Sequence, residues 1–117
     1  MYPHVFDQRI IHVDLLRLKT FFPEPDAFQQ MRTNLESATE RVCHDPSAGK
    51  DLRGRLDGWR SLAWASSSTP NWDPWPDMRL VYRFRDGVVR IFAVGKRAPG
   101  DVNDVYSIAA ERAKFPE

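Results

Sequence analysis

"MRLVYRFRDGVVRIFAVGKR", residues 78–97, is the stretch whose reading decides the fold. Asp86-Gly87 at its centre is a strong signal for a tight hairpin turn, because both residue types tolerate positive φ. With that turn, Arg85 faces Val88, Phe84 faces Val89, Arg83 faces Arg90, Tyr82 faces Ile91 and Leu80 faces Ala93. Side chains alternate across a sheet, so Leu80, Tyr82, Phe84, Val89, Ile91 and Ala93 form one wholly apolar face. Arg79, Val81, Arg83, Arg85, Val88, Arg90, Phe92 and Val94 form the other. A slip of one residue would bury the arginines, so the pattern specifies the register. Arg83 opposite Arg90 sets like charges together, which destabilises the pair unless an anion lies between them or the guanidinium planes lie flat over apolar neighbours.

The segments on either side complete an α+β reading. A short strand is expected near Tyr2 to Phe6. A helix follows over about residues 8–20, with Ile11, Leu15, Leu18 and Phe22 at helical spacing, although "RIIHV" also fits a strand. Pro23 and Pro25 break the pattern, and Asp26 can cap the next helix. That helix carries the stripe Phe28, Met31, Leu35, Ala38 and Val42 to about Cys43, making a helical hairpin. Trp59 to Trp64 reads as a strand with Trp59 in the core. "ASSSTPNWDPWPD", residues 65–77, is a polar, Pro- and Trp-rich loop. "PGDVNDVYSIAAERAKF" turns at Pro99-Gly100 and ends in a short helix with Val105, Ile108 and Ala109 inward. The expected architecture is a single domain over residues 1–117, with a Trp/Pro-rich insertion at about residues 65–78. Its N-terminal helical hairpin packs on one face of a small, twisted antiparallel sheet.

Composition narrows the function. The chain has 117 residues, 42% hydrophobic and 28% charged, with a net charge of only +1. That balance fits one globular core and speaks against a general nucleic-acid binder. The charge is local, however: residues 1–50 hold six Lys/Arg and seven Asp/Glu, whereas residues 79–97 hold six Lys/Arg and one Asp. No apolar run approaches the roughly 18 residues that span a bilayer, so no membrane association is expected. "MYPHVFDQR" lacks the pattern of a secretory signal, and the single Cys43 cannot form an internal disulfide, so a cytoplasmic location is expected. His4, His12 and His44 are scattered, so neither a metal nor another cofactor is expected.

"DLRGRLDGWRSL", the opening hairpin with its terminal "GKR", and "DVYSIAAER" resemble the RelE/ParE superfamily of bacterial toxins, most closely the RelE branch. The resemblance covers roughly residues 50–112, and the helical hairpin before it matches in layout. It implies a ribosome-dependent mRNA endonuclease, the toxin of a type II toxin-antitoxin pair. Its partners would be a cognate antitoxin, the ribosome and mRNA. In that family the RNA 2′-hydroxyl attacks the adjacent phosphate without a metal. The resemblance assigns Arg79 to phosphate stabilisation, Arg97 to the leaving group and phosphate, and Tyr106 to stacking on or orienting the substrate. Arg60 falls near a family lysine. On the basic face of the hairpin, Arg83, Arg85 and Arg90 are expected to grip the RNA backbone or the antitoxin, and Lys96 is grouped with them as RNA-binding.

Leu62 stands where the family places its general-base lysine, and arginine at position 60 stays protonated. Asp57, Asp73 and Asp77 are the remaining nearby carboxylates. The Trp-rich loop also exceeds the usual hairpin connection. Two other functions fit the same scaffold: a ParE-like gyrase inhibitor, which needs no base, and a non-catalytic protein-binding module built on the loop of Trp64, Trp72 and Trp75.

Overall fold

The computed structural model describes residues 1–114. β1 (His4–Phe6) leads through a π-helical turn, Ile10–Asp14, into α1 (Leu15–Phe21), and α2 (Pro25–His44) follows. β2 (Lys50–Asp51), a 3₁₀ turn (Gly54–Leu56), β3 (Arg60–Trp64), β4 (Met78–Arg85), β5 (Val88–Lys96) and α3 (Val105–Arg112) complete it. The class is α+β, with a five-stranded sheet in the order β1-β5-β4-β3-β2. The sheet is mixed rather than antiparallel throughout, because β1 runs parallel to β5. The helical hairpin carries the chain from one sheet edge to the other. β2 to β5 then return as an antiparallel meander, and the last strand arrives pointing the same way as β1.

The hairpin turn forms as the sequence predicts, with Asp86 at φ 54° and Gly87 at φ 76°. Arg85–Val88, Phe84–Val89, Arg83–Arg90 and Tyr82–Ile91 pair as expected. A β-bulge then shifts the register, so Val81 faces Ala93 and Leu80 faces Val94. The expected Leu80–Ala93 pair is thereby corrected. Phe92 and Ala93 both turn to the arginine-bearing face, and Val94 joins the apolar face. Phe84, at the hairpin tip, is half-exposed and packs its ring 4.6 Å from Tyr2.

The sheet is covered on both faces, a second correction. Met78, Leu80, Tyr82, Val89, Ile91 and Val94 meet the Met31, Leu35, Ala38 and Val42 stripe of α2. On the other face Val81, Phe92 and Ala93 pack against Leu56, Trp59 and the α3 residues Val105, Ala109 and Ala110. Trp59 is a core residue, as expected, and stacks on Phe92 with centroids 4.0 Å apart. Ile108 is only partly buried, and Ala110 takes its place inward. The final residue of the predicted C-terminal segment, Phe115, lies outside the described residues. α2 starts at Pro25 with Glu24 at the N-cap, so Asp26 occupies the first turn rather than the cap.

The wide π turn displaces the helical register. Ile10 is 1% exposed and Ile11 is 57% exposed, the reverse of the simple periodic reading. The same turn sends Asp14 inward to the edge of β5. Pairing with β1 stops at Ile91, leaving the bulge beyond it without a neighbouring strand. Asp14 Oδ2 accepts from the Val94 N–H at 3.1 Å. Arg112 donates to the Phe92 carbonyl at 2.8 Å and to both carboxylate oxygens of Asp14, at 2.8 and 3.1 Å. A buried ion pair thus seals the edge and ties α3 to the N-terminal helix.

Tyr82 is fully buried, and its hydroxyl accepts from the Gly49 N–H at 2.9 Å and donates to the Pro46 carbonyl at 2.6 Å. A Cβ at Gly49 would lie 2.6 Å from that oxygen, so only glycine fits. These bonds hold the turn that delivers Lys50 to β2. Tyr82→Phe leaves the buried Gly49 N–H unsatisfied and is expected to lower stability by about 1–3 kcal/mol. The check is the urea midpoint at unchanged slope.

Candidate phosphate-binding cleft

Five elements meet around an open cleft of about 330 Å³. α2 contributes Arg41 near its C-terminus, β2 contributes Lys50, β3 Ser61, β4 Arg79 and α3 Tyr106. Three cations and two hydroxyls line this space, with no carboxylate among the lining residues. Such a lining favours an anion with several acceptor oxygens.

Each polar group has a structural reason for its place. The Arg79 guanidinium donates to the carbonyls of Pro76, at 2.6 Å, and Met78, at 2.9 Å, which holds it at the sheet end. Asp77 is not its partner: that carboxylate is fully buried and accepts from the Ser66 N–H and Oγ–H at 2.9 and 2.6 Å. The Tyr106 and Ser61 hydroxyls are hydrogen-bonded at 2.8 Å. The Arg97 guanidinium lies 4.6 Å from the Tyr106 ring centroid and pairs with Asp104 at 2.7 Å. Asp104 caps α3 by accepting from the Tyr106 N–H and also accepts from the Ala98 N–H, so one carboxylate fixes Arg97 and Tyr106 together. The carboxylate partner of Arg97 is Asp104 and not Asp101, which accepts from the Asn103 N–H.

Tyr106 therefore shares the cleft with Arg79 and touches Arg97. The other predicted site residues are elsewhere. Arg60 lines a separate groove of about 450 Å³ with Asp45 and Asp51, bonding to the Gly49 carbonyl at 2.8 Å and lying 3.4 Å from Asp51. Arg83 lies flat on the Trp59 ring at 4.4 Å. Burial, and then the charges of Arg85 and Arg90, hold its pKa below the ordinary arginine value. Arg85 is exposed at the hairpin tip, and Arg90 is half-buried. Lys96 is only 7% exposed, with its ammonium 5.3, 5.2 and 4.1 Å from the rings of Phe21, Phe22 and Trp72. Burial pushes its pKa down, partly offset by Asp77. The strand alternation past the bulge turns Lys96 to the helical-hairpin face, away from the cleft.

The sequence reading missed Lys50 and Arg41. Neither carries a local signal: Lys50 sits on a two-residue strand, and Arg41 is one of several polar residues on the outer side of α2. The three loop tryptophans separate. Trp64 is buried, Trp75 is half-buried, and Trp72 is exposed. Cys43 is buried in α2, and burial raises its pKa, so it is a packing residue.

No family model matches the chain, and no curated protein or solved structure matches it either. Among the described residues no group of His, Cys, Asp and Glu could hold a metal ion, and no helix is long and apolar enough to cross a membrane.

Proposed function

We propose that this chain is a RelE-like, ribosome-dependent mRNA endonuclease, the toxin of a type II toxin-antitoxin pair acting in the cytoplasm. The observation that carries the reading is that Arg79 and Tyr106 line one cationic cleft with no carboxylate in its lining, and that Arg97 lies against the Tyr106 ring. These are the positions that the "RLVY", "GKR" and "VY" motifs assign to the reaction. Lys50 in the same cleft supplies the amine that Leu62 cannot.

In this mechanism Lys50 is the general base that takes the proton of an RNA 2′-hydroxyl. The 2′-oxygen forms a bond to the adjacent phosphorus, and the bond to the 5′-oxygen breaks. Arg79 and Arg41 neutralise the crowded phosphorane, where preorganised charge is most effective. Tyr106 gives its hydroxyl proton to the departing 5′-oxygen, and Arg97 beside the ring offsets the charge that develops there. The products are a 2′,3′-cyclic phosphate and a 5′-hydroxyl.

Purified protein added to mRNA-programmed ribosomes should release fragments with those ends. Lys50→Ala is expected to slow release by about 10²–10⁴-fold, the usual contribution of a general base. Lys50→Arg should not restore it, because arginine stays protonated. Lys50 is exposed, so circular dichroism should show both variants folded. Intact mRNA with the wild-type protein would refute the reading. Inhibition of gyrase supercoiling in its place would assign the ParE-like activity.

A further inference from the structure

Trp72 stands apart from the other indoles. It is 42% exposed in a chain that buries Trp59 and Trp64. Yet it is not loose. Its Nε1–H donates to the Arg97 carbonyl at 3.0 Å, and its ring covers the Lys96 ammonium at 4.1 Å. The loop that carries it is closed at its base by the buried Ser66–Asp77 bonds and by the Arg97 N–H donating to the Asp77 carbonyl at 2.8 Å. The indole is thus clamped on one face and at its only donor, and its remaining ring surface faces outward.

Trp72 holds the backbone of Arg97, whose guanidinium lies against Tyr106 at the cleft. An exposed aromatic face held in one position is a surface on which proteins stack an unpaired base. With its N–H already engaged, Trp72 has no hydrogen-bonding group left to read a base edge. Its recognition is therefore by stacking and tolerant of base identity. Because the ring is already immobilised, little ordering entropy opposes binding.

We infer that the outward face of Trp72 is a stacking platform for one unpaired nucleobase of the RNA. This rests on the RNA reading above and adds to it a residue that the "RLVY", "GKR" and "VY" motifs do not include. The test measures affinity for a short single-stranded 2′-O-methyl RNA, which lacks the attacking hydroxyl, at low salt. Trp72→Leu should weaken binding by about 5- to 150-fold, the range for one stacked base. Trp72→Phe keeps a ring and should retain most of the affinity. An abasic substitution scanned along the RNA should reproduce the loss at one position, and at that position Trp72→Leu should have no additional effect. Thermal melts confirm that each variant is folded. Equal affinities for wild type and Trp72→Leu, a loss unaffected by any abasic position, or no binding by the wild type would each overturn the platform. An unchanged affinity would leave the exposed indole as a protein-contact residue. Cleavage in programmed ribosomes reports on the endonuclease separately, so the platform can fail while that activity stands.

Discussion

Replacing Asp14 with alanine is expected to lower the unfolding free energy by about 3–5 kcal/mol, the range for breaking a buried ion pair from one side. The carboxylate is 1% exposed and Arg112 is 7% exposed, so water cannot replace the lost partner. The substitution strands a guanidinium and leaves the Val94 N–H without its acceptor, 80 residues away in the chain. Arg17, at 3.8 Å from Asp14, adds a further uncompensated charge. Asp14→Asn keeps an oxygen for Val94 and should lose less. A double change of Asp14 to Leu and Arg112 to Met should recover most of the stability, because removing both charges also removes their desolvation. Urea unfolding at constant slope measures all three. A single-substitution loss below about 1 kcal/mol would mean that the pair is worth no more than one at the surface. The site should respond too, since Arg112 anchors the helix that carries Tyr106.

Arg79→Ala is expected to reduce single-turnover mRNA cleavage on the ribosome by about 10²–10³-fold, the usual effect of deleting one preorganised donor to the transition state. Stability should change much less, since Arg79 bonds only to two nearby carbonyls and is not in an ion pair with Asp77. Arg79→Lys should restore little of the rate. A lysine brings one point charge, whereas the planar fork reaches two phosphate oxygens while its other nitrogen stays on the Pro76 carbonyl. Wild-type cleavage by Arg79→Ala would remove the cleft from the mechanism. A loss shared equally with Arg83→Ala would point to general attraction of RNA instead, because Arg83 is committed to the Trp59 ring outside the cleft.

Much of the fold was legible in neighbouring residues. Asp86-Gly87 placed the turn, and alternation placed four consecutive pairs up to Tyr82–Ile91. Pro23 and Pro25 separated the helices, and the Met31, Leu35, Ala38 and Val42 stripe identified the buried side of α2. These features depend on backbone preferences and on periods of a few residues, which a linear reading contains. The lining of the cleft was half legible. Arg79 and Tyr106 stood in motifs, as did Arg97 beside Tyr106. Lys50 and Arg41 did not, and Lys96 was assigned to a surface that it does not reach.

The tertiary structure alone decided the bulge at Phe92, the exchange of Ile11 for Ile10, the covering of the arginine face by α3 and the sorting of the loop tryptophans. Asp14 and Arg112, 98 residues apart, satisfy the Val94 N–H and the Phe92 carbonyl at the bulge, where β1 no longer pairs. Once the bulge forms, every β5 side chain beyond it changes face, which turns Lys96 inward and leaves Arg97 beside Tyr106. Local sequence determines turns and periods, because those energies are set by adjacent residues. Which arginine lies beside Tyr106 depends on a single register shift, at which partners from opposite ends of the chain bond the backbone.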